Sequence, residues 1–202
     1  MKLFYSPGAC SMASHVILHE IGKPFEIEKV DGKAKTTEKG TDFWTINAKG
    51  AVPALQLADG EVLTEGAAIL QYLADSNGAT ELAPPVGTMA RARVQEMLNF
   101  VSSELHKGFG PLFHPGRTDE EKDAAKAAIG KKFDWLESRL ADGRAYLTGS
   151  AFTVADAYAF VVTNWSKGMN ISLDKWPKLK AFVERVSARP SVQAAMRAEG
   201  LI

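Results

Sequence analysis

Tyr5-Ser6-Pro7-Gly8-Ala9-Cys10-Ser11-Met12-Ala13-Ser14 holds the only cysteine of a 202-residue chain. A short apolar run, Leu3-Phe4-Tyr5, stands before it, and apolar positions at helical spacing, Met12, Val16, Ile17 and Ile21, stand after it. Pro7 and Gly8 turn the chain between the two. The grammar is a strand over 2–5, a turn and a helix from Ser11 to Ile21, with the Cys10 thiol at or near the first helical turn. A helix start leaves N–H groups unpaired and carries the positive end of the helix dipole, which favours a thiolate. The competing reading is a small buried hydrophobe, the common fate of a free cysteine. Residue 13 is Ala13, so a two-cysteine redox switch within this turn is excluded. The hydroxyls of Ser11 and Ser14 either donate to a sulfur or serve as caps.

Working outward, Gly22 ends the helix, with Pro24 just beyond. Phe25, Ile27 and Val30 begin a second strand, and a βαβ opening with short connections favours a parallel pair. Residues 31–50 are polar and rich in Gly and Lys, with an aromatic patch at Phe43-Trp44, and read as a loop with an irregular helix. After Val52-Pro53 the alternation marks another strand. Asp59-Gly60 is a hairpin turn, and Glu61-Val62-Leu63 is the returning strand. A helix follows over 64–73 with Thr64 as its N-cap, and Asn77-Gly78 closes it. Ala83-Pro84-Pro85-Val86-Gly87 breaks both helix and strand and reads as a linker. Beyond it the segments 88–109, 119–141, 153–167, 175–188 and 191–199 have helical periodicity and strand patterns are scarce. Thr153 and Asp156 are spaced as a capping box at the start of one of these helices. The expected architecture is α/β plus all-α: a domain over 1–81, then an all-helical domain over 87–202.

Composition narrows the function. Lys+Arg and Asp+Glu number 24 each, so the net charge is zero and the basic excess of a nucleic-acid binder is absent. One cysteine rules out an internal disulfide framework and a Cys-rich zinc site, and it fits a reducing compartment. Residues 1–20 lack the basic start and long apolar core of a signal peptide, and no apolar run approaches the ~20 residues that cross a bilayer. The expectation is a cytoplasmic protein with neither a membrane nor a nucleic-acid partner.

Three further places can carry chemistry. Pro53 at the head of a strand is a turn residue or a cis proline; a cis bond would turn the Val52 backbone N–H and C=O outward, where they could pair with an extended peptide. Thr64-Glu65-Gly66 is either a plain helix start or a ligand site. In the second case the N–H groups of Glu65 and Gly66 take a carboxylate and the Glu65 side chain takes an ammonium. On the long helix after the linker, Asn99, Ser103 and His106 stand at i, i+4 and i+7, on one face, as solvated surface or as a stripe in which His106 donates to a sulfur. His106 and His114 lack acidic partners at ligand spacing, and His15 and His19 lack the metalloprotease carboxylate, so no metal site is expected.

Together these residues resemble the cytosolic glutathione S-transferases, and within them the bacterial beta class. The resemblance runs end to end. It rests on Met1-Lys2-Leu3-Phe4-Tyr5 with Pro7-Gly8-Ala9-Cys10-Ser11, Gly50-Ala51-Val52-Pro53-Ala54-Leu55, Leu63-Thr64-Glu65-Gly66-Ala67-Ala68-Ile69, Glu104-Leu105-His106-Lys107-Gly108-Phe109, and Phe152-Thr153-Val154-Ala155-Asp156-Ala157-Tyr158. Cys10 with His106 points to the beta class. The resemblance implies a thioredoxin-like N-terminal domain, a helical C-terminal domain, a homodimer, and glutathione as co-substrate without a metal. It implies Cys10 and His106 beside the glutathione sulfur and Lys35 at the glycine carboxylate. It also implies Val52 on the cysteinyl backbone, Pro53 as a cis proline, and Glu65 and Gly66 at the γ-glutamyl head. Asn99, Ser103 and Glu104 would reach toward the partner subunit's glutathione. Gly66 replaces a serine frequent in relatives and keeps the backbone donor while losing a hydroxyl. Tyr5 resembles the catalytic tyrosine of other classes but is not assigned that role. The implied activity is conjugation of glutathione to small hydrophobic electrophiles, held in a pocket that includes Phe109, Phe113 and Trp165. The alternatives are thiol–disulfide or peroxide chemistry through a Cys10–glutathione mixed disulfide, and a regulatory glutathione binder without turnover.

Overall fold

A computed structural model describes residues 1–202. The chain forms two compact units, one of Met1–Ala83 with Ala188–Ile202, the other of Pro84–Ser187.

The first unit is built on a five-stranded sheet in the order β3-β2-β1-β4-β5, from β1 (Lys2–Tyr5), β2 (Glu26–Asp31), β3 (Thr36–Thr37), β4 (Ala54–Gln56) and β5 (Val62–Thr64). β1 and β2 are parallel, as the short βαβ crossover requires, and the other pairings are antiparallel. The Asp59-Gly60 hairpin is present, closed by Leu57 N–H to the Glu61 carbonyl at 2.8 Å. Residues 31–50 contain more order than a loop: β3 pairs with β2, and a 3-10 turn spans Phe43–Thr45 with the Asp42 carboxylate accepting from Trp44 N–H. Phe4, Val30, Phe43 and Ala54 form a buried cluster, with Val52 and Val62 packed against it. Leu3 and Leu55, paired in register and fully buried, alternate to the opposite face. There α1 (Ser11–Ile21) and α2 (Gly66–Ser76) pack on each other and on the sheet.

α1 shows why periodicity alone underestimated the packing. Every residue from Ser11 to Leu18 is buried, Ser14 and His15 included. The reason is α8 (Pro190–Ala198), which packs on α1. This differs from the expected assignment of the last helix to the domain 87–202: by its contacts α8 belongs with the sheet. Arg189 Nε and Ser191 Oγ both donate to Glu20 on α1, and Glu199, just past α8, is fixed to His15. The break between the units at Ala83/Pro84 falls inside the expected linker.

The second unit is helical. α3 (Met89–Phe100), a π-helical turn (Val101–His106) and α4 (Lys107–Phe113) succeed one another without a break, four residues beyond the expected end at 109. α5 (Asp119–Arg139) carries a capping box of Thr118 and Glu121. α6 (Val154–Asn164) is buried from Val154 to Thr163, as a helix apolar on all sides must be. α7 (Pro177–Ser187) has its Lys178 and Leu179 N–H groups taken by the Glu137 carboxylate of α5. Asp156 is fully buried and accepts from the backbone N–H groups of Leu147 and Thr153 and from the Thr153 hydroxyl, each at 2.8 Å. Burial lifts its carboxyl to about 6, and the three donors only partly offset that.

Candidate functional site

In the first unit the turn after β1 is tied down by its own backbone. Ala9 N–H reaches the Ser6 carbonyl, Gly8 adopts φ +69°, and the Ser11 hydroxyl bonds the Ser6 backbone rather than any sulfur. Cys10 occupies the N-cap position of α1 and is half-buried. Its S–H donates to the Val52 carbonyl at 3.4 Å. Burial raises the thiol to about 11; the N–H groups of Cys10 and Ser11 pull the other way and lose, and the Glu65 charge adds to the rise. The expected thiolate at a helix start is therefore corrected for the ligand-free protein: the helix start does act on the sulfur, but desolvation outweighs it.

The Val52-Pro53 bond is cis, as expected. The stretch before it is braced from two sides. Asn47 Nδ2 donates to the Ala51 carbonyl at 2.7 Å, and Lys35 Nζ to the Gly50 carbonyl at 2.7 Å. The Lys35 ammonium also lies 5.9 Å from the centre of the half-exposed Trp44 ring. Gly50 (φ +58°) touches that ring so closely that an added Cβ would stand 2.5 Å from it. The sequence showed Trp44 and Gly50 separately but not their contact, because no spacing rule joins an aromatic to a glycine six residues on.

Thr64 is not the N-cap of α2. It pairs with Ala54 as the last residue of β5, and strand pairing holds it extended. The N-cap position is Glu65, in the unusual conformation φ +72°, ψ 112°. Its carboxylate takes the Lys49 ammonium at 2.5 Å. Gly66 opens the helix. Cys10, Val52 and Glu65 are thus gathered in one unit, with Lys35 bound to the residue two before Val52.

In the second unit Asn99, Ser103 and Glu104 are exposed. Ser103 Oγ donates to the Asn99 carbonyl at 2.8 Å, and Glu104 pairs with Lys132, which holds its carboxyl below the usual range. His106 does not share their solvated face. The π-helical turn breaks the regular spacing on which the i, i+4, i+7 stripe depended, and the imidazole is half-buried, 2.7 Å through Nδ1 from the Tyr158 hydroxyl. Burial lowers its pKa. Trp165 packs edge-on at 4.8 Å from the His106 ring and 5.2 Å from Phe113. Of the expected apolar lining, Phe109 is fully buried core, whereas Phe113 is half-exposed and Trp165 partly so. Tyr158 stood in a quoted motif, but nothing local marked it as the partner of a residue 52 positions earlier.

A model of the glutathione S-transferase N-terminal domain matches residues 8–76, and one of the C-terminal domain matches 100–190. Glutathione S-transferase GstA of Escherichia coli O157:H7 is 46% identical over 201 residues, covering 100% of both chains. The chain belongs to the glutathione S-transferase family. Among solved members of the family, a bacterial beta-class transferase from Sphingomonas chungbukensis is 47% identical with a TM-score of 0.96, covering 100% of each chain. A sphingomonad transferase complexed with glutathione is 47% identical with a TM-score of 0.95, again over 100% of each. In this family member no three His, Cys, Asp or Glu side chains cluster as a metal site, and no helix is long and apolar enough to cross a membrane.

Proposed function

We propose that this protein conjugates glutathione to small hydrophobic electrophiles, as a cytoplasmic homodimer serving detoxification. The observation that carries the reading is the convergence in one unit of the Cys10 thiol, the Val52 carbonyl 3.4 Å away and Glu65 at the head of α2. The 47% identical relative complexed with glutathione supports the choice of ligand.

Each residue then has a task. Lys35 takes the glycine carboxylate, and the Val52 backbone pairs with the cysteinyl part. The Glu65 carboxylate exchanges the Lys49 ammonium for that of the γ-glutamyl head, whose carboxylate meets the N–H groups of Glu65 and Gly66. Asn99, Ser103 and Glu104 reach toward the glutathione of the partner subunit. His106 donates a hydrogen bond to the sulfur, and Phe113 and Trp165 offer apolar surface to the electrophile. The glutathione thiol gives its proton to water; the thiolate forms a C–S bond and the leaving group departs with its bonding pair. With its thiol raised to about 11, Cys10 is a neighbour of that sulfur rather than the attacking group.

The test has two parts. The protein should bind immobilised glutathione and conjugate it to a nitroaryl chloride; failure to bind sinks the reading. Cys10→Ala, assayed for conjugation and for disulfide exchange, should keep the first; loss of both would make Cys10 the catalyst of conjugation as well.

A further inference from the structure

His106 is held by one side chain of the neighbouring helix. Its Nδ1 lies 2.7 Å from the Tyr158 hydroxyl, and the two rings are perpendicular. Tyr158 is 5% exposed and belongs to α6, the most completely buried helix of its unit. Its hydroxyl therefore stands on a fixed support. On the other side, the imidazole closes the π-helical turn and meets the edge-on Trp165 ring. Both ends of the contact are constrained, so the hydrogen bond has one geometry to adopt.

Two proton arrangements satisfy that contact. The hydroxyl donates to a bare Nδ1, or a protonated Nδ1 donates to the phenolic oxygen. Elementary chemistry separates them. A phenol (pKa near ~10) is a good donor, and its oxygen shares its lone pairs with the ring, which makes it a poor acceptor. An imidazole nitrogen bearing an in-plane lone pair is the better acceptor. The pairing of the better donor with the better acceptor is O–H to Nδ1. We propose that Tyr158 is a positioning residue that fixes His106 as the Nε2–H tautomer, a neutral hydrogen-bond donor to an anionic sulfur rather than a base that removes its proton. Burial, which lowers the His106 pKa, keeps the ring neutral near pH 7, so a choice of tautomer is what the site needs. The sulfur as acceptor rests on the glutathione-conjugating reading; the tautomer itself does not.

The tautomer is read directly from two-bond proton–nitrogen couplings of the four histidines in the ligand-free protein, with His106 assigned by its absence in His106→Asn. The wild type should give the Nε2–H pattern. Tyr158→Phe removes the hydroxyl and little volume. It should shift His106 toward a mixture of tautomers and lower kcat about three- to tenfold, the value of one hydrogen bond, with the KM for glutathione unchanged. An Nδ1–H pattern in the wild type overturns the proposal. So does a Tyr158→Phe protein whose kcat falls while the His106 pattern stays put, since that is a merely structural effect. Full conjugation by His106→Asn would instead remove His106 from the catalytic assignment, and the coupling pattern would still decide the role of Tyr158.

Discussion

Glu199→Ala should detach the C-terminal segment from the loop that carries Cys10. The Glu199 side chain is completely buried. One carboxylate oxygen accepts from Gly8 N–H at 2.9 Å, and the other lies 2.9 Å from His15 Nδ1. Alanine takes the carboxylate from the buried His15 ring and removes the acceptor that the half-buried Gly8 N–H uses. At about 1–3 kcal/mol for the buried His15 side and about 0.5–1.5 kcal/mol for the half-buried Gly8 bond, the loss is about 1.5–4.5 kcal/mol. For a chain of this length that is a fall in Tm of about 3–18 °C. Glu199→Gln keeps one acceptor and should lose about half as much. Urea unfolding measures the energy, and amide exchange at Gly8 reports the local release, which should accelerate well beyond the change at Leu55. If Glu199→Ala unfolds within about 0.5 kcal/mol of wild type, or Gly8 exchange is unaltered, the buried carboxylate is not what holds the two segments together.

The remaining predictions concern the site and its pH response. Alkylation of Cys10 in the ligand-free protein should still be accelerating beyond pH 10, because burial lifts the thiol to about 11; a plateau below pH 9 would contradict that. Gly50→Ala should destabilise by about 2–5 kcal/mol and weaken glutathione binding, since φ is +58° and the new methyl meets the Trp44 ring; Trp44→Ala should relieve part of the loss, and strict additivity of the two changes would argue against the contact. Burial and the neighbouring His15 lower the His19 pKa, so the fold prefers His19 neutral. Its contribution is intact above the unfolded value of ~6.5 and is lost as pH falls through the folded one. The urea midpoint of wild type should therefore drop more steeply from pH 7 to 5 than that of His19→Asn; parallel curves would refute this.

Much of the site was visible in the sequence because its parts sit at element boundaries, which turn and capping residues mark. Pro7-Gly8 placed Cys10, Asp59-Gly60 placed the hairpin, and Pro84-Pro85 fell at the break between units. The errors share a cause. Thr64 has good N-cap chemistry, yet its pairing with Ala54 keeps it in the strand and passes the cap position to Glu65 at positive φ. The Asn99, Ser103 and His106 stripe assumed a regular helix, and the π-helical turn over Val101–His106 undid that spacing.

The amino-acid order by itself determined most of the element types and the parallel opening pair, since these depend on neighbours a few positions apart, whereas the cis bond at Pro53 and roles such as that of Lys35 were implied only by the family resemblance. Tertiary structure alone decided what each group experiences. Desolvation, not the helix start, governs the Cys10 thiol. His15 meets Glu199 across 184 positions, and His106 meets Tyr158 across 52. Long-range contacts of this kind follow from packing the last helix onto the first and α6 against the π-helical turn, and a local pattern carries no trace of them.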